Sequence, residues 1–121
     1  MEDQIFSRED KIALFAKLVA TNPLAVLKGD TIPYTSMNGH MYSYLSQEGV
    51  LALRLPEKQR KEFLEKYNST LMEAYGIVQK EYVVVPDSLL QNTDELKPWF
   101  EDSYVYVGLM KPKPTKGKKK G

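Results

Sequence analysis

The sequence predicts an α+β fold, a two-layer sandwich in which an antiparallel sheet carries helices on one face, in the order α-β-β-β-α-β-β-α. Three observations predict it. Apolar residues recur at helical spacing near both ends and again in the middle of the chain. Between Thr31 and Leu55 the period drops to two. A strand-like run ending in three valines, Glu81 to Val85, then follows the central helix. Runs of strands broken by one helix leave no room for the alternating βαβ units of a parallel sheet, so neighbouring strands must pair antiparallel.

Ser7 with Asp10 three residues on reads as a capping-box start, and Ile12, Phe15, Ala16 and Val19 then mark one face of a first helix. Asn22-Pro23 ends it, because the residue before proline is pushed out of the helical region. A second helical turn over Leu24 to Leu27 is expected, stopping at Gly29. The first strand is expected over Thr31 to Met37 and closes on Asn38-Gly39, a dipeptide that accepts positive φ and makes tight hairpins. His40 to Leu45 follows, with alternation placing His40, Tyr42 and Tyr44 on one face and Met41, Ser43 and Leu45 on the other. After the Ser46 to Gly49 turn, Val50 to Leu55 aims Leu51, Leu53 and Leu55 at the core and Val50, Ala52 and Arg54 away from it.

Pro56 fits the first position of a second helix, with Glu57 in its first turn and Phe63, Leu64 and Tyr67 as a narrow apolar stripe ending near Asn68. Thr70 to Ala74 reads as a short edge strand, Tyr75-Gly76 as a turn, and Glu81 to Val85 as the most strand-like run in the chain. Pro86-Asp87 stops that strand. Leu89 and Leu90 suggest a short turn, and Leu96, Trp99, Phe100, Tyr104 and Val107 suggest a terminal helix. Pro98 is expected in that helix's first turn, since deeper inside it costs about 3 kcal/mol. Phe15, Leu53, Val84 and Phe100 are the expected core anchors.

With 121 residues the chain forms one domain, expected over residues 1–110. Lys111, Lys113, Lys116, Lys118, Lys119 and Lys120 fall in the last eleven positions, where nothing can bury apolar area, so residues 111–121 are expected to be a disordered tail. Residues 1–110 hold 11 Lys and Arg against 16 Asp and Glu, leaving an acidic body of −5 beneath a basic tail. No apolar run approaches the roughly 20 residues of a membrane span, and Met1 to Gln4 is acidic where a secretory signal is basic. A cytoplasmic protein without membrane contact is the expectation. Zero cysteines exclude disulfides, thiolate nucleophiles and Cys-based zinc sites.

The segments Met37-Asn38-Gly39-His40-Met41-Tyr42, Leu51-Ala52-Leu53-Arg54-Leu55, Tyr82-Val83-Val84-Val85-Pro86 and Leu89-Leu90 resemble the N-terminal domain of the TfoX/Sxy family. The likeness covers roughly residues 28–110, and Asp94-Glu95-Leu96 falls where that family carries the same three residues. Asn38 stands where the family has Phe, and His40 where it has the second Gly of a Met-Phe-Gly-Gly turn. The resemblance implies the same two-layer sandwich. It also implies a regulatory role in transcription or natural competence and supplies no catalytic residue. A helical C-terminal domain follows in that family, and this chain is expected to be a stand-alone version of the first domain.

The chemistry-bearing residues point to binding. His40 is the only histidine, and no carboxylate or second imidazole stands at metal-ligand spacing from it, so neither metal nor cofactor is expected. Ser36 and Ser43 lack a nucleophile-elbow sequence, and no catalytic residue is assigned. Glu57, Glu62 and Glu65 interleave with Lys58, Arg60, Lys61 and Lys66 as a solvated helix face. Gly39, Gly49 and Gly76 are isolated turn residues and build no phosphate loop. Tyr34, Tyr42, Tyr44 and Tyr82 could share one sheet face, either as cross-strand packing or as a stacking platform for bases with Arg54 as its one cation. The six tail lysines are the candidate contact to nucleic acid, weak and sequence-independent, or else a solubilising end. The expected function is a non-enzymatic regulatory or adaptor domain acting on an unidentified protein partner. Its rivals are a small-molecule-binding or enzymatic domain with a pocket between sheet and helices, and a structural module that homodimerises.

Overall fold

The computed structural model describes residues 7–29, 31–74 and 76–110. The lysines at 111, 113, 116, 118, 119 and 120, the acidic start at Met1 to Gln4 and the Tyr75 half of the expected turn lie outside the described residues. The elements are α1 (Arg8–Val19), β1 (Tyr34–Met37), β2 (His40–Leu45), β3 (Leu51–Arg54), α2 (Glu57–Lys66), β4 (Leu71–Ala74), β5 (Ile77–Val85), α3 (Asp87–Leu90) and α4 (Thr93–Gly108). This is the α+β order read from the sequence, with the turn after Pro86 closing into the one-turn α3. Five antiparallel strands lie in the order β1-β2-β3-β5-β4, so β1 and β4 are the edges. Among the described residues no helix is long and apolar enough to cross a membrane.

The core forms on the helical side of the sheet. Ser7 Oγ accepts from the Asp10 amide while the Asp10 carboxylate accepts from the Ser7 amide, fixing the start of α1 and the direction in which Phe15, Leu18 and Val19 enter the core. Leu51 and Leu53 of β3 and Leu55 just beyond it meet them as their alternation requires, joined by Phe63 of α2 and by Leu96, Phe100 and Val107 of α4. Each such side chain, once fully buried, contributes about 1.5–3 kcal/mol of transfer free energy. A second seam joins α2 to α4, where the Phe63 ring lies 4.7 Å from Tyr67 and 5.3 Å from Trp99. Tyr67 accepts from Trp99 Nε1 and donates to Glu95.

Several local expectations are corrected. Leu24 to Leu27 forms no helical turn: the Asn22 side chain captures the Leu24 amide, and Lys28 is drawn into a two-bond bridge with Tyr34. That bridge delays β1 to Tyr34. It also needs Gly29, whose φ is +89° and where a Cβ would sit 2.3 Å from the Ile32 carbonyl oxygen. Pro56 is the cap residue of α2, extended at ψ 163°, and Glu57 is the first helical residue. Pro98 lies in the second turn of α4, because Asn92 caps the helix at the Glu95 amide and starts it at Thr93. The missing Pro98 amide bond is offset by burial of Leu96, Phe100 and Val107. Val84 is not in the helical core. It alternates with buried Val83 and Val85, faces the other side of the sheet and is half-buried.

Two irregularities shape that other side. Thr35 pairs with Ser43 while the next residue, Ser36, pairs with Met41, so Tyr42 is the extra residue of a β-bulge. The bulge breaks the expected His40-Tyr42-Tyr44 face. Tyr42 turns into the helical core against Phe100 and Tyr104, at 5.7 and 5.9 Å between ring centres. Tyr44 stays on the far side. In β5, Leu71 pairs with Val83 but Met72 pairs with Gln79, so β4 skips Lys80 to Tyr82. Tyr82 instead pairs with Arg54 of β3, and Ile77 to Gln79 pair with β4 alone. The strand expected over Glu81 to Val85 thus continues backwards into an arm that projects past β3.

Candidate functional site

The far face of the sheet gathers Ile32, Tyr34, Met41, Tyr44, Val50, Ala52, Met72, Tyr82 and Val84, none of them from a helix. The β4–β5 arm brings Met72 and Gln79 to this face. Met72 is buried against Tyr44 and Ala52, and the Tyr44 hydroxyl donates to Gln79 Oε1 at 2.6 Å. A hollow of about 830 Å³ opens there, with Ile32, Met41, Tyr44, Val50, Met72 and Val84 as apolar wall and Glu48, Glu73 and Gln79 among its polar lining. A volume of that order matches a small-molecule site, which is typically 300–1,000 Å³. The layer between sheet and helices, where a pocket was an alternative expectation, is occupied by the buried cluster around Phe15, Leu53 and Phe100.

Three of the four tyrosines singled out by sequence do share this face. The Tyr44 and Tyr82 rings pack edge-on at 5.8 Å, and Tyr34 sits opposite Tyr44 in the ladder. Tyr42 is removed from the group by the bulge. The Tyr82 hydroxyl donates to the Met41 carbonyl at 2.6 Å, and burial pushes its phenol above the usual tyrosine range. The Tyr82 hydroxyl therefore stays a neutral donor, and with the Tyr44 donor to Gln79 it pins the face.

Arg54 closes one end of the sheet. Its guanidinium lies 5.8 Å from the Tyr82 ring centre and 5.9 Å from that of Tyr106, and its Nε binds Glu81 at 2.7 Å. Tyr106 donates to the other Glu81 oxygen at 3.0 Å. Burial pushes the Glu81 carboxyl up, but the hydrogen bonds from Arg54 and Tyr106, with the charges of Arg54 and Arg60, hold it below the usual carboxylate range. Arg54 is thus committed to Glu81 and two rings, and the platform loses the cation that base stacking would use.

The remaining candidates are dispersed. Ser43 is buried and hydrogen-bonded to Thr35, while Ser36 accepts from Lys28 at 3.4 Å. His40 opens β2 opposite Met37, beside the Asn38-Gly39 turn, whose φ values of 58° and 82° are those of the tight hairpin expected. Among the described residues no group of three His, Cys, Asp or Glu could hold a metal ion. On α2, Glu57 and Lys61 form the expected exposed pair at 3.3 Å. Sequence reasoning missed Met41, Met72 and Gln79 as companions of Tyr44. The alternation of Met72 with Leu71 and Glu73 carried the signal, but the register skip that brings Gln79 to Met72 leaves no mark in composition.

No protein-family model, no curated protein and no solved structure matches the chain.

Proposed function

We propose that this chain is a non-enzymatic regulatory or adaptor domain that works by protein contact, with the β4–β5 arm as its contact surface. One observation carries the reading: Ile77 and Val78, at the start of β5, are 67% and 49% exposed on a segment paired only with β4, the last strand of the sheet. Large apolar side chains beside an open strand edge are what a partner strand or apolar ridge covers, because main-chain hydrogen bonds and apolar burial are gained together. The role in transcription or competence that the TfoX/Sxy resemblance implies belongs to this reading, as does a cytoplasmic location. The six lysines beyond Met110 would add weak contact with nucleic acid, since the acidic body cannot attract a polyanion.

Affinity capture from native lysate tests it, using the full chain and an Ile77→Glu/Val78→Glu variant. Proteins retained by the natural chain and lost with the variant are the expected outcome. Retention of the same proteins by both sinks the assignment to the arm. The open edge of β4 also supports the dimerisation reading. Sedimentation equilibrium on the purified chain decides between them: a dimer that the same two substitutions convert to monomer favours self-association, and a monomer favours a foreign partner.

A further inference from the structure

The arm accounts for the exposed edge but not for the hollow beneath it. From its lining we infer that this hollow is a binding site for a small amphiphilic cation, an apolar chain or ring bearing an ammonium group. The inference is independent of any protein partner.

The lining divides by chemistry. Ile32, Val50 and Val84 supply apolar wall. Met41 and Met72 add unbranched, polarisable side chains that reshape around ligands of different outline. Tyr44 adds an aromatic ring to the lining, and aromatic rings attract cations and have no matching attraction for anions. Its hydroxyl is occupied by Gln79. The ionisable lining residues are of one sign: Glu48 and Glu73 border the hollow, and no Lys or Arg is among the described lining residues. Both glutamates are exposed and stand on separate elements, Glu48 in the β2–β3 turn and Glu73 on β4. The cations bound beside the β2–β3 turn are already engaged: Arg8 spends Nε on the Ser46 carbonyl at 3.3 Å and Nη2 on the Thr31 carbonyl at 2.6 Å, and Lys11 Nζ donates to the Gly49 carbonyl at 3.0 Å and pairs with Asp87 at 3.4 Å. An apolar lining bordered by two glutamates and a tyrosine, with no lining Lys or Arg among the described residues, therefore favours a cationic headgroup over a carboxylate or an alcohol on the same chain.

Methionine methyl NMR reads the site directly, because Met41 and Met72 line the hollow while Met37 and Met110 pack on the helical side. The full chain, 13C-labelled at methionine methyls, is titrated with octylammonium, 1-octanol and octanoate at neutral pH and low salt. The expected result is saturable shifts at Met41 and Met72 alone, with affinity falling in that order. Each carboxylate about 4 Å from the headgroup is worth about fivefold even at the dielectric of water. Glu48→Gln/Glu73→Gln should bring octylammonium most of the way down to the affinity of octanol and leave octanol unchanged. Ala74→Phe, which fills the hollow from β4, should abolish binding of all three while the methyl spectrum stays folded. Octanoate binding as tightly as octylammonium overturns the inference. So do shifts at Met37 and Met110 that track those of Met41, or the absence of saturable shifts with any probe.

Discussion

Tyr42 and Tyr44 lie two residues apart on β2 yet face opposite layers, one packed against Phe100 and Tyr104 of α4, the other against Tyr82 beneath the arm. Their substitutions should differ accordingly. Tyr42→Ala removes a fully buried ring and should cost about 3–5 kcal/mol. Tyr44→Phe removes only the hydroxyl that reaches Gln79 and should cost about 1 kcal/mol. Urea unfolding of both variants checks the pair; equal losses would mean that the bulge does not part them.

The sheet's two faces make a similar contrast between Leu53 and Val84. Leu53 is fully buried among helices, so Leu53→Ala should cost about 2–5 kcal/mol. Val84 is half-buried on the far face, and Val84→Ala should cost about 1 kcal/mol, near the value of one or two methyl groups moved out of a partly wet site. A thermal midpoint that falls equally in both would place Val84 in the main core after all.

Where local chemistry decided the outcome, the sequence was readable. The Ser7–Asp10 box, the Asn38-Gly39 hairpin and the Leu51-Leu53-Leu55 face each depend on residues within a few positions of one another. Tyr42 and the hollow were not readable for one shared reason. Alternation assigns a face only while the register is continuous. A one-residue bulge opposite Thr35 reverses Tyr42, and the skip between Leu71 and Met72 builds the arm over Tyr44. Val84 was misplaced because a run of three valines gives no hint of which members face the helices. Pro98 erred differently. Propensity placed it in the first turn of α4, and the tertiary gain from starting the helix at Asn92 outweighed that preference.

The basic end is testable apart from the folded body. Anisotropy of labelled duplexes should show weak binding by the full chain and none by a version ending at Met110. If all six lysines engaged phosphates, the log-log salt slope would be about −5, and shallower with fewer. Duplexes of different sequence should bind alike, since lysine point charges read no base edges. Equal binding by both versions would place the surface on the body.

Glu81 should dominate part of the acid response. Its folded carboxyl sits below the ordinary 4.5, so the folded state binds its proton less readily than the unfolded chain. The stability it contributes is complete above about pH 4.5 and is lost as pH falls through the folded value. Glu81→Gln should therefore be less stable at pH 7 and show a flatter decline below pH 4.5, measured as urea midpoint against pH. An unchanged acid slope would detach Glu81 from the Arg54 and Tyr106 contacts.

Asp102 should do the reverse. Burial first, then the charges of Glu101 and Glu62, raise its carboxyl above the ordinary 3.8, so here the folded state holds the proton more tightly. Stability falls as pH rises from 3.8 through the folded value, and the penalty persists at neutral pH, where the ionised group lies partly buried beside two other carboxylates. Asp102→Asn removes the charge with little change of shape. Its urea midpoint should exceed that of the natural chain at pH 7 and converge with it at pH 3, where both side chains are neutral. Glu62→Gln should recover a smaller part of the same gain, because it relieves one repulsion and leaves the burial in place. A gain from Asp102→Asn that was equally large at pH 3 would assign the effect to packing or hydrogen bonding of the amide, and the electrostatic account of α4 would fall with it.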